Sequence, residues 1–196
     1  LLLVACLFVL AYGALGYMRR EGLSVQLAVE TAVLTAILVG GSWLIGVQLN
    51  PWVFLAVLWL VTRRASIIVD LANTLARRDR NEMALRLYDL ALALWPDTAM
   101  RYNILSNRGA ALLRSGQVDA AISTLEGVLA AGESSHLAIK IESMVRYNLG
   151  YAYELKGEDA LSVTQYNQAI DVLPGSLYAR AAQSALKRRK KQGSAH

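Results

Sequence analysis

The chain has 196 residues, of which 55% are hydrophobic and only 18% are charged, a composition that excludes an intrinsically disordered protein and is unusual for a soluble one. Residues 1–62 hold four of the 35 charged residues, which indicates a membrane segment followed by a water-soluble one. The formal net charge of +5 comes from the run 187–191, because the rest of the chain balances 15 basic residues against 15 acidic ones. Without a broad basic face, we expect no nucleic-acid binding.

Patterns typical of catalytic and metal sites do not occur in the sequence. Cys6 is the single cysteine, and neither His136 nor His196 has a carboxylate or a cysteine at ligand spacing. No phosphate-binding loop, catalytic triad or acid pair is found either. We therefore expect a protein that is not an enzyme, with no metal, no cofactor and no small-molecule substrate.

Three apolar stretches precede the charged part of the chain. The first covers 1–18, the second about 23–41, and the third runs from residue 43 or from Pro51 to residue 62. Asn50 followed by Pro51 is a favourable helix start. The first two stretches are long enough to cross a bilayer core of about 30 Å. The sequence therefore predicts a transmembrane anchor over 1–64.

Two arginine pairs decide the expected orientation. Arg19-Arg20 follows the first stretch and Arg63-Arg64 the third, and positive charge marks the cytoplasmic side of a membrane. Three crossings place both pairs in the cytoplasm, whereas two crossings, with 51–62 in the interface, place the second pair outside. The pattern therefore favours three crossings and a cytoplasmic C-terminal domain, in a bacterial inner membrane or a photosynthetic membrane.

Small residues recur at every fourth position of the second stretch. They form a ridge of Ser24, Ala28, Ala32, Ala36 and Gly40. Positions four apart share a helix face, and small side chains let helix backbones approach closely in lipid. The ridge predicts helix packing, either against another subunit or against the protein's own first span.

Glu30 lies on the same stretch, one turn after Gln26. A carboxylate within a membrane helix is a candidate for proton or ion handling. No second acid, lysine or histidine joins it in another span, so snorkelling or a hydrogen bond to a neighbour is favoured over transport.

A repeat organises the rest of the chain. The segment 107–116, with Gly109 and Gly116, is echoed by 148–157, with Gly150 and Gly157. In each segment the first glycine permits close helix packing and the second ends the helix. This pattern resembles the tetratricopeptide repeat, a 34-residue helix–turn–helix unit. The resemblance implies an α-solenoid with a capping helix, and together with the apolar stretches the sequence predicts an all-α protein with transmembrane helices before the solenoid.

Three copies of this repeat are predicted, over 65–98, 102–135 and 143–176. The small residues at their eighth positions, Ala72, Gly109 and Gly150, lie 37 and 41 residues apart, which implies insertions of three and seven residues. Asp79 stands where the first copy should have its turn glycine. Residues 177–196 are predicted to form the capping helix and a basic tail.

The basic tail has two interpretations. It consists of Lys187, Arg188, Arg189, Lys190 and Lys191. It is either the solvated tip of the capping helix or a contact for anionic lipid on the cytoplasmic leaflet.

The family resemblance implies a groove that binds an extended peptide or a helix of another protein. The residues at its groove positions are Val69, Asn73, Asn103, Asn107, Met144, Tyr147, Asn148 and Tyr151. Asparagine both donates and accepts hydrogen bonds, which suits pairing with a peptide backbone. The alternative is that Asn107 and Asn148 form hydrogen bonds within the solenoid.

Chaperone-docking members of this family hold a carboxylate of the bound peptide with lysine and arginine side chains. Here Val69, Met144 and Asn148 occupy the corresponding positions, so the desolvation of a carboxylate would be poorly offset. Chaperone recruitment by that route is not expected.

The expected function is that of a membrane-anchored scaffold, either an accessory subunit or an assembly factor of a larger membrane complex. Its architecture is similar to that of the tetratricopeptide proteins that help assemble photosystems and respiratory complexes. The expected partners are the lipid bilayer and other membrane protein subunits. The alternative is a receptor that recruits a soluble cytoplasmic protein and has no permanent membrane partner.

Overall fold

The computed structural model describes residues 1–18, 25–46, 48–135 and 137–193, which contain ten α-helices and no strand. The helices are α1 (Leu2–Met18), α2 (Val25–Ile45), α3 (Pro51–Thr62), α4 (Arg64–Arg77), α5 (Asn81–Ala93), α6 (Thr98–Arg114), α7 (Val118–Ser135), α8 (Ile139–Lys156), α9 (Asp159–Val172) and α10 (Leu177–Gly193). The expectation of an all-α protein is confirmed.

Side-chain caps mark the starts of several helices, among them α3 and α6. The Asn50 side chain accepts a hydrogen bond from the backbone nitrogen of Trp52 at 2.9 Å, and Pro51 occupies the first helical position of α3. The Asp97 carboxylate accepts from the backbone nitrogen of Met100 at 2.8 Å at the start of α6. Both caps satisfy a backbone donor that the helix itself leaves unpaired.

The turns inside the three helix pairs α4–α5, α6–α7 and α8–α9 share one backbone conformation. Asp79, Gly116 and Gly157 have φ values of 58°, 78° and 75°. This left-handed region is open to glycine and, less readily, to aspartate. Asp79 therefore makes the turn that glycine makes in the other two pairs.

The helices of the repeats form a curved stack. The first helices of successive pairs, α4, α6 and α8, contact one another in order, and α10 continues the row after α8. Among the described helices, α5, α7 and α9 make no contact with each other. The stack therefore curves with the row of first helices on its inner side.

The two ends of this stack differ. At the C-terminal end, α10 covers the last pair and buries Ala179, Ala182 and Ala185 almost completely. At the N-terminal end no repeat precedes α4, and Ile67 and Leu71 are 41% and 53% exposed. Their counterparts in the third repeat, Val145 and Leu149, are 0% and 1% exposed because α7 packs against α8.

The N-terminal helices have a small core of their own. Ala5 and Phe8 of α1 are buried together with Phe54 and Leu58 of α3, and side chains of α2 pack around them. The axis of α3 is bent by 58° from that of α4 at the single residue between them, Arg63.

Three separate membrane crossings are not supported by the described helices. With 12 residues, α3 is about 18 Å long at 1.5 Å per residue, which is short of a bilayer core. Among the described helices, α2 alone contains a stretch that is long and apolar enough to cross a membrane, Ala28–Ile45. If the bent pair α3–α4 is counted as one continuous segment, it is a second such stretch. The 17 residues of α1 measure about 26 Å, which is also short of a bilayer core of about 30 Å.

Candidate functional site

The inner face of the stack, meaning the solvent-facing side of α4, α6 and α8, is where the predicted groove residues lie. It is positioned by the close contacts between these three helices. The structure places the predicted residues at different depths on this face, so they do not form a uniform lining.

Three of the predicted groove asparagines form hydrogen bonds within the protein. The hydroxyl of Tyr88 donates to the Asn73 side-chain oxygen at 2.6 Å. Asn107 donates to the backbone and side-chain oxygens of Asn103, at 2.9 and 2.6 Å. All three asparagines are half-buried, so each keeps part of its amide at the surface of the inner face.

Three of the groove positions are buried. Val69 is 4% exposed, and Met144 and Asn148 are each 8% exposed. The expectation that Asn148 faces a bound peptide is therefore not supported. The hydroxyl of Tyr178 on α10 donates to the Met144 sulfur at 2.9 Å, which places the capping helix over this part of α8.

A cluster of tyrosines joins α8, α9 and α10. The ring of Tyr147 lies 5.8 Å from that of Tyr166 and 6.1 Å from that of Tyr178, in tilted arrangements. Burial raises the pKa of all three phenols, and in Tyr166 a hydrogen bond to Glu154 adds to the effect. They are therefore neutral donors at physiological pH. Tyr151, 39% exposed, is the predicted groove tyrosine that is open to a partner.

Polar ties across the helix pairs hold the inner face in place. The Tyr153 hydroxyl of α8 donates to the Glu126 carboxylate of α7. Burial and this hydrogen bond raise the pKa of Tyr153 to about 12. The Lys156 ammonium lies 2.9 Å from Asp119, and this contact raises the pKa of Lys156. Neither tie was anticipated from the sequence, since it depends on how α7 and α8 cross.

A polar joint connects α2 to the first repeat. Arg64 donates to both carboxylate oxygens of Glu30, at 2.7 and 2.8 Å, and to the Leu94 carbonyl at 3.0 and 3.2 Å. One turn earlier, Gln26 donates to Glu30 at 2.9 Å and to the Trp95 carbonyl at 2.6 Å.

The partner of Glu30 was missed in the sequence, although a signal for it existed. The predicted topology places Arg63-Arg64 at the same end of the helix bundle as the start of α2. An arginine fork that binds a carboxylate through two bonds is the expected result of that proximity. Of the two alternatives favoured for Glu30 from the sequence, snorkelling or a hydrogen bond to a neighbour, the structure shows the hydrogen bond.

The ridge of small residues points away from the N-terminal core. Ala32, Ala36 and Gly40 are exposed, and a methyl group added at Gly40 would meet no atom within 4 Å. Ala28 is half-buried, and Ser24 lies outside the described residues. Packing of the ridge against the protein's own first helix is therefore not seen, and α2 instead buries Thr31 and Thr35.

The basic tail continues α10 and is only partly solvated. Arg189 forms an ion pair with Asp159 of α9, and the Arg189 side chain is 19% exposed. This pairing raises the pKa of Arg189. Lys187 and Arg188 are exposed. The residues 137–193 and the other described parts of the chain contain no group of three or more potential metal ligands.

Comparison with known proteins relates the chain to one fold. No family model matches it, and no curated protein sequence matches it. Among solved structures, it is similar to the TPR2AB domain of yeast Sti1 in complex with pHSP90, with a TM-score of 0.56 and 23% sequence identity. The match covers 66% of this chain and 49% of that chain, so it spans about half of the Sti1 structure. At this identity the likeness concerns the fold, and the repeat helices of this protein have a tetratricopeptide-repeat-like fold.

Proposed function

We propose that this protein is a membrane-anchored tetratricopeptide scaffold, an accessory subunit or assembly factor that binds a segment of another subunit of a membrane complex on its inner face. The repeats lie in the cytoplasm, on a bacterial inner membrane or a photosynthetic membrane. The protein acts through binding, and the bound segment is a loop or terminus of a neighbouring subunit.

The membrane anchoring is supported by the exposure of α2. Of the apolar stretch Ala28–Ile45, 11% is buried, whereas the core helix of a soluble protein is mostly buried. Val25, Val29, Val33 and Ile37 form a stripe that is exposed by 53–75%. A continuous apolar stripe of this length is stable next to lipid and costly in water.

The observation that carries the choice of partner is the polar joint between α2 and the first repeat. Arg64 links Glu30 to the Leu94 carbonyl, so the repeats are held at a fixed place relative to the apolar helices. A receptor for a diffusing protein has no need of a fixed orientation. A scaffold for a neighbouring membrane subunit needs a fixed orientation. A loop or terminus of that subunit has a high effective concentration at the inner face only where the geometry allows it to reach that face.

On the inner face Asn73, Asn103 and Asn107 are partly accessible, and Tyr151 is exposed. Tyrosine is enriched at protein interfaces and among the residues that contribute most of the binding energy. The likeness to the Sti1 domain, solved in complex with pHSP90, also supports a protein partner. The nonpolar Val69 and Met144 and the neutral Asn148 do not support a partner held by its carboxylate.

The test is extraction of the full chain from native membranes in mild detergent, followed by mass spectrometry of the proteins that co-purify. We expect integral membrane proteins of one complex. Tyr151→Ala, and Asn103→Ala combined with Asn107→Ala, should each weaken capture about tenfold, or about 1.4 kcal/mol. Asn167→Ala is the matched control, because Asn167 is an exposed asparagine on the outer helix α9.

The outcomes separate the two functions. A soluble protein that co-purifies and is lost when the same two groove variants are used would support the recruitment receptor instead. Capture that survives in both variants would show that the partner contacts another surface, and the inner-face assignment would then be wrong.

A further inference from the structure

Trp95, in the connection between α5 and α6, combines exposure with an unusual backbone. Its side chain is 82% exposed, and its φ of 56° lies in the left-handed region. A bulky residue is rarely found there, and an exposed tryptophan gains no packing inside the protein that would offset the strain. Its exposure leaves the indole ring available for a contact outside the repeats.

Side chains of Gln26 in α2 and of Arg64, the first residue of α4, hold this connection next to α2. The Leu94 carbonyl accepts from Arg64, and the Trp95 carbonyl accepts from Gln26 at 2.6 Å. The backbone of Trp95 therefore lies at the level of the first turn of α2.

That level is one boundary of the apolar surface of α2. The exposed stripe begins at Val25, next to Gln26, and the helix runs from there to Ile45. Its 21 residues measure about 31 Å, which matches the thickness of a bilayer core. The Glu30–Arg64 pair lies about 6 Å further along the helix, where its mutual hydrogen bonds satisfy both charges.

We propose that Trp95 inserts its side chain into the headgroup region of the bilayer on the side of the repeats, so that the α5–α6 connection is a lipid contact. The proposal rests on the membrane anchoring proposed above. An indole ring has an apolar body and one N–H donor, and tryptophan is enriched at this depth of membranes for that reason. The contact would add a second attachment of the first repeat to the membrane.

Fluorescence of two single-tryptophan variants tests the proposal. One retains Trp95 and the other retains Trp59, with the remaining tryptophans changed to phenylalanine. Trp59 is 48% exposed on α3 and lies five residues before Arg64. By helix rise it is about 14 Å from the level of Gln26, in the direction of the α2–α3 connection. Both full-length variants are reconstituted into phosphatidylcholine vesicles that carry bromine either near the headgroup or near the acyl-chain ends.

We expect Trp95 emission to be shifted to shorter wavelength, quenched mainly by the shallow bromines and poorly by aqueous acrylamide. Trp59 should be quenched mainly by the deep bromines. If Trp59 responds to deep bromines while Trp95 responds only to acrylamide, the loop contact is disproved and the anchoring stands. If both respond only to acrylamide, the membrane anchoring itself is wrong.

Discussion

At the scale of single residues, a glycine faces a large side chain at the centre of the second and third repeats. A methyl group added to Gly109 would lie 2.6 Å from a methyl carbon of Leu125, and one added to Gly150 would lie 2.6 Å from a ring carbon of Tyr166. Both large side chains are fully buried. The absence of a side chain at the eighth position is therefore what lets the two helices of these pairs approach.

The contact between Gly150 and Tyr166 gives a prediction of stability. Gly150→Ala should lower the free energy of unfolding by about 1–3 kcal/mol, because the buried Tyr166 ring cannot move aside. Gly127→Ala is the control: Gly127 is exposed within α7 and has no atom within 4 Å of an added methyl group. It should raise stability by up to about 1 kcal/mol through helix propensity. Urea unfolding of the full chain in detergent measures both, and equal stability of the two variants would contradict the packing argument.

At the scale of helices, the junction between α3 and α4 decides how the repeats are held. The chain bends by 58° at Arg63, and the next residue, Arg64, reaches back to α2. The side chains of Glu30 and Arg64 keep 27% and 29% of their exposure, and their two hydrogen bonds are charge-assisted. Removal of one partner leaves the other charge without compensation in an apolar setting.

A double-mutant cycle tests this joint. Glu30→Leu and Arg64→Met should each destabilise the protein by about 1–3 kcal/mol, and the combined variant should lose less than the sum of the two. Arg63→Met is the control, since it removes the adjacent positive charge without touching Glu30. The readout is thermal unfolding of the full chain in detergent. Additive losses, or a loss with Arg63→Met as large as that with Arg64→Met, would show that the pair is not coupled.

At the scale of the whole molecule, α2 and α3 form a hairpin with the repeats at its open end. Glu30 near the start of α2 contacts Arg64 just after α3, so both helices lead from the repeats to the connection around Gln48. If α2 crosses the bilayer, the chain must therefore return through α3 to reach the repeats. If α3 is that return path, its 12 residues alone are too short, and the crossing extends to Arg64, whose charge is paired with Glu30.

Cysteine labelling tests this arrangement. In a Cys6→Ala background, Gln48→Cys should react with a membrane-impermeant maleimide only from the periplasmic or lumenal side, because Gln48 is exposed at the tip of the hairpin. Asn167→Cys in the repeats should react only from the cytoplasmic side. Labelling of both positions from the same side would show that the hairpin enters the membrane without crossing it.

The sequence by itself determined the repeat architecture and the local geometry of its turns. Small residues recur at the eighth positions, and the turn residues recur as well, because the two helices of each pair pack in the same way. That packing involves residues that are close in the chain. Even Asp79 could be assigned to a turn from its place in the repeat, and its φ of 58° agrees.

Only the tertiary structure decided which faces meet. Helical periodicity tells which residues share a face, but the angle between two helices decides what that face contacts. The ridge residues Ala32 and Ala36 are therefore exposed, and Asn148 is buried. The Glu30–Arg64 pair joins residues 34 positions apart, and it depends on the fold of α2 against α3 and on the 58° bend after α3. Such contacts are set by the three-dimensional path of the chain, which no local pattern encodes.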